Sequence, residues 1–72
     1  MRRKEPADVD YYAIVDRVRA EFLEMPGLRL TPAQAMRLWG VDAAMCNRII
    51  TQLVGMAFLK WAAGGAVARA DE

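Results

Sequence analysis

Seventy-two residues with one cysteine and no histidine make one small domain, and they exclude an internal disulfide framework and a Cys/His zinc site. The chain lacks the long apolar run that a membrane-spanning helix needs, and its net charge is +1. The basic start Met1-Arg2-Arg3-Lys4 runs into Glu5-Pro6-Ala7-Asp8 where a signal peptide would turn apolar, so a cytoplasmic location is expected.

Residues 1–8 lack periodicity and read as an arm, whose basic residues either lie along DNA or stay solvated. The domain proper is expected over 9–70, with 71–72 as a tail. A first helix should start near Val9 or Asp10, capped by Asp8 or Asp10, and run to Glu24. Tyr11, Ile14, Val18, Phe22 and Met25 form its apolar stripe, widened by Val15. Arg17 and Glu21, four apart, suit a surface pair. Asp16, Glu21 and Glu24 have no neighbour that would tune them for acid–base work, so they read as a solvated face. Tyr12 lies off the stripe and is a candidate dimer contact.

Pro26-Gly27 turns the chain. Leu28-Arg29-Leu30 alternates and reads as a short strand with Arg29 outward. Thr31, Pro32 and Gln34 then spell an N-cap, a first helical position and the partner of a capping box. The helix they open spans Pro32 to Trp39, with Ala35, Leu38 and Trp39 at helical spacing. Trp39 reads as core rather than as a stacking platform. Gly40 supplies the left-handed stop, Val41 a plug, and Asp42 the cap of a third helix, Ala43 to Val54. Met45, Cys46, Ile49, Ile50 and Leu53 face inward on that helix. Ala43, Ala44, Asn47, Arg48, Thr51 and Gln52 face outward. Cys46 on the inner face reads as a buried structural thiol. Phe58 and Leu59 close the core, and Lys60–Ala63, Gly64-Gly65 and Ala66–Arg69 read as strand, two-residue turn, strand. The alanines make this a thin wing.

Gly40-Val41-Asp42, with Cys46 and Ile49 as core positions, resembles the turn and recognition helix of bacterial helix-turn-helix repressors. With a helix before and a Gly-Gly hairpin after, the chain resembles a minimal winged helix, and Val18 to Arg69 resembles short bacterial winged-helix proteins. The resemblance implies a mainly α fold with a small β-hairpin, a three-helix winged helix-turn-helix. The chain departs from the family's pattern at Met36, where Ala is usual, and at Ala57, where Gly often precedes the hairpin and this chain has Gly55 two residues earlier.

Arg29, Arg37, Arg48, Lys60 and Arg69 against Asp42 make the stretch from Arg29 to Ala70 basic, while Pro6 to Leu28 is acidic. Charge of this size also suits an ordinary surface; it is the helix-turn-helix resemblance together with the basic stretch that makes DNA the expected partner. Ala43 and Ala44 would let the start of the third helix approach a groove, and Asn47 and Arg48 match adenine and guanine edges, beside Thr51. Arg37, Lys60 and Arg69 complete the expected contact set, with Arg37 toward phosphate. Small size and a hydrophobic fraction of 56% suggest a homodimer. The same apolar content supports a second reading, a protein-interaction winged helix without DNA. No phosphate-binding glycine loop and no nucleophile–base pair occurs, so neither enzymatic activity nor a cofactor is expected.

Overall fold

The computed structural model describes residues 6–71. The described residues form three α-helices, α1 (Pro6–Glu24), α2 (Pro32–Trp39) and α3 (Ala43–Gly55), followed by an antiparallel hairpin of β1 (Leu59–Ala62) and β2 (Ala66–Arg69).

Helix α1 begins earlier than its apolar pattern implies, so Asp8 and Asp10 lie inside the helix rather than at its cap, and the segment read as an arm is helical from Pro6 on. Proline at the first helical position explains the earlier start: its missing N–H has no helical partner to lose there. The buried stripe is Tyr11, Val15, Val18 and Phe22, with Ile14 half-buried. Met25 is 49% exposed, against expectation. The helix ends at Glu24; Met25 N–H still reaches the Glu21 carbonyl at 3.0 Å, but its own carbonyl accepts from Leu28 N–H at 2.9 Å, so Met25 stands at the turn beyond the last helical residue.

The capping box before α2 forms as read: Thr31 Oγ1 accepts from Gln34 N–H at 3.2 Å and Gln34 Oε1 accepts from Thr31 N–H at 3.0 Å. Ala35 and Trp39, four apart, are the buried positions of α2, and Leu38 is 49% exposed rather than core. A one-residue step turns a helical side chain by about 100°, enough to take Leu38 off so narrow a face. Gly40 sits at φ 70°, ψ 39°, and its N–H and that of Val41 both reach the Met36 carbonyl. Asp42 Oδ1 then accepts from Met45 N–H at 2.9 Å and starts α3.

The core joins all elements. Val18 and Phe22 of α1 meet Cys46, Ile49, Ile50 and Leu53 of α3, Trp39 of α2, and Leu59 and Val67 of the hairpin. Burying each large aliphatic or aromatic side chain contributes roughly 1.5–3 kcal/mol. Two features of the sheet differ from expectation. The strand expected at Leu28–Leu30 is a single bridge, Leu30 to Val67, with N···O distances of 3.1 and 2.8 Å. Leu28 N–H is taken by the Met25 carbonyl and Thr31 N–H by Gln34 Oε1, so backbone donors on both sides of the bridge are committed elsewhere. The hairpin loop has three residues, Ala63–Gly65, because Ala62 pairs with Ala66. Gly64 and Gly65, at φ 83° and 74°, supply the left-handed conformations that the turn demands. The alanines of β2 pack inward: Ala66, Val67 and Ala68 are all buried. Between α3 and β1 the chain turns at Ala57, which takes φ 61° without being glycine.

Candidate nucleic-acid interface

The outer side of α3 is fixed by its inner side. Cys46, Ile49, Ile50 and Leu53 are buried, so the 3.6-residue repeat turns Ala43, Ala44, Asn47, Arg48, Thr51 and Gln52 to the surface, where all six are exposed. Cys46 anchors this helix from within. Its thiol donates to the Pro32 carbonyl at 3.7 Å, and burial pushes its pKa up from 9.0, which keeps it protonated and unreactive.

An open groove of about 480 Å³ runs between α1 and α3. Ala44, Asn47, Arg48, Thr51 and Gln52 form one wall, and Tyr11 and Tyr12 form the other. The Arg48 guanidinium carbon lies 4.2 Å from the centroid of the Tyr11 ring. The Tyr11 hydroxyl is 3.3 Å from the Arg48 carbonyl and 3.2 Å from Gln52 Oε1, both acceptors. Tyr12 meets Tyr11 edge-on, with centroids 5.2 Å apart and planes at 70°.

The expected contact residues therefore separate into groups. Ala44, Asn47, Arg48 and Thr51 share the groove, and Ala43 is exposed at the start of the same helix. Arg37 lies elsewhere, on α2, beside Ala33 and Gln34. Lys60 is half-buried on β1. Arg69 is engaged: it donates to Asp71 Oδ2 at 2.7 Å and its guanidinium lies 5.3 Å from the Phe58 ring centroid. The basic residues Arg2, Arg3 and Lys4 of the expected arm lie outside the described residues.

The arginines of α1 are also engaged. Arg17 lies 3.8 Å from Glu21 and donates to the Trp39 carbonyl at 3.1 Å, where α2 ends with its partial negative charge. Arg19 lies 4.0 Å from Asp16 and 5.4 Å from the centre of the Phe58 ring. Among the described residues, Arg29, Arg37 and Arg48 have no acidic partner within ion-pair distance. Positive charge not already neutralised thus stands on the part of the chain that carries α2 and α3.

Tyr11 is the contributor to this site that the sequence pattern hid. It occupies a slot of the apolar stripe of α1, where periodicity alone implies core. The signal was its hydroxyl: a phenol at a core position needs a polar partner, which Phe or Leu would not. Among the described residues no group of three or more His, Cys, Asp or Glu is placed to hold a metal ion, and no helix is long and apolar enough to cross a membrane. No protein-family model, curated protein or solved structure matches the chain.

Proposed function

We propose that this chain is a DNA-binding winged helix-turn-helix protein, a small cytoplasmic transcriptional regulator that reads the major groove with α3 and acts as a homodimer. The observation that carries the proposal is the outer face of α3: small and polar side chains around an exposed arginine that has no acidic partner among the described residues. Ala43 and Ala44 keep the start of the helix slim enough to approach base edges. Asn47 and Arg48 carry the amide and the planar fork suited to adenine and guanine. Arg37, on the preceding helix, is available to a phosphate. Tyr12, 62% exposed on α1, is the proposed dimer contact.

A fluorescence-anisotropy titration against duplex DNA at two salt concentrations tests this reading. A protomer that neutralises two phosphates should lose about tenfold in affinity between about 50 and 200 mM salt through counterion release. The second reading, a protein-interaction module of the same fold, draws support from the exposed Trp61 on β1, at 52%, and from the engagement of Arg69 with Asp71. Under that reading duplex DNA is not retained, and association with the partner is insensitive to salt.

A further inference from the structure

We propose that Tyr11 is a positioning residue for Arg48: α1 holds the Arg48 guanidinium in place with its donors open, ready to meet an acceptor on nucleic acid. This rests on the DNA-binding reading above and specifies how the contact is prepared.

Three observations converge on it. Tyr11 is buried, with 3% of the residue exposed, which suits a packed platform more than a free side chain. Tyr12 braces it edge-on at 5.2 Å. The Tyr11 hydroxyl reaches the Arg48 carbonyl and the Gln52 side chain, one turn apart on α3, so the ring is keyed to the helix that carries the arginine.

The chemistry of the contact matters more than its presence. An arginine tied to a carboxylate has donors already committed, as Arg69 Nη2 is to Asp71 at 2.7 Å. An arginine stacked on an aromatic face, 4.2 Å from its centre, is restrained through its π-surface and keeps its N–H groups along the edge. A long side chain ordered in advance loses less freedom when it binds. Asn47 and Thr51 line the same groove, so an acceptor that reaches Arg48 finds further polar groups beside it.

The test joins a spectroscopic readout to a double-mutant cycle. Tyr11→Leu removes the ring and keeps apolar bulk, while Tyr11→Phe removes the hydroxyl and keeps the ring and the packing. In the free protein the Arg48 Hδ resonances should be shifted upfield by the ring, retained in Tyr11→Phe and returned to ordinary values in Tyr11→Leu. Against one fixed duplex at low salt, Tyr11→Leu should weaken binding about two- to fivefold. In an Arg48→Ala background the same change should have no further effect. An equal loss in both backgrounds would mean that Tyr11 acts through the fold and would overturn the proposal, as would Arg48 resonances at ordinary values in the wild-type chain. If Tyr11→Leu does not fold, the wild-type spectrum still decides whether Arg48 rests on the ring, and ordinary values there overturn the proposal. A wild-type chain that binds no duplex while Arg48 remains ring-shifted would overturn the DNA reading and leave the positioning of Arg48 supported.

Discussion

Ala57 occupies a conformation that glycine adopts at far lower cost, and Gly55, two residues before it, stands at the end of a helix where alanine would serve better. At φ 61° the Cβ of Ala57 crowds its own backbone, a strain of about 1–2 kcal/mol for an L-residue. Ala57→Gly removes that strain but frees the unfolded chain, at a cost of about 0.4–1 kcal/mol. The expected net gain is about 0.5–1 kcal/mol, which for a domain of this size raises Tm by roughly 2–8 °C. Gly55 ends α3 without a positive φ, and a Cβ built on it meets no heavy atom within 4 Å. Gly55→Ala should therefore add about 0.4–1 kcal/mol through the same unfolded-state effect. The exchange of both should stabilise by about 1–2 kcal/mol, with incomplete additivity because the residues are neighbours. Thermal and urea melts followed by far-UV circular dichroism measure each variant. A lower Tm for Ala57→Gly would refute the reasoning, because it would mean that the chain does not leave α3 through a left-handed residue at this position. Ala57→Val supplies the opposite sign, since a β-branched residue fits that conformation worst.

Thr31→Ala removes half of the capping box and should cost about 1 kcal/mol in a urea melt, with α2 the first helix to lose amide protection. Gly40→Ala meets no neighbouring atom within 4 Å, so its cost is conformational alone; a loss of about 1–2 kcal/mol is expected, seen as a lower urea midpoint. Cys46 gives a pH dependence: burial raises its pKa in the folded state above 9.0, so its stabilising contribution is complete below that value and is lost as pH rises through the higher folded one. Urea midpoints across this range should fall more steeply for the wild-type chain than for Cys46→Ala, and parallel slopes would show that the thiol is not buried. Sedimentation at about 10–100 μM, where modest dimers form, should show a dimer, and Tyr12→Ser should shift it toward monomer.

The parts of this architecture written in local chemistry were legible in the sequence. Thr31 with Gln34, Gly40, and Asp42 each specify a backbone group and its partner within a few residues, and all three sites form as read. The inner stripe of α3 was equally plain, since Cys46, Ile49, Ile50 and Leu53 repeat at helical steps. What periodicity missed depends on distant packing or on backbone geometry. The length of the Leu30 bridge depends on which neighbours consume the chain on either side. The three-residue turn depends on Ala62 meeting Ala66 rather than on the Gly-Gly pair itself. Leu38 and Met25 are apolar residues near a buried face without being on it, a distinction of a fraction of a helical turn.

For the candidate site, the outer face of α3 followed from its inner face, but its surroundings did not. Nothing local to Arg48 announces that a tyrosine 37 residues earlier lies beneath it. Nor does the sequence around Arg69 separate a free cation from one that folds back on Asp71 two residues later. Charge counted along the chain gave Arg37, Arg48, Lys60 and Arg69 equal weight. The folded geometry instead places Arg48 in the groove, Arg37 elsewhere on α2, and Arg69 in an ion pair.

The most direct test of the central claim is an anisotropy titration of labelled duplex DNA with the wild-type chain and with Arg48→Ala, each at low and near-physiological salt. The account predicts wild-type binding that weakens steeply with salt. It also predicts an Arg48→Ala variant that folds normally and binds a preferred site about 1–3 kcal/mol more weakly, with a smaller loss on unrelated duplexes. Binding that is absent, or unchanged by both salt and Arg48→Ala, would contradict it.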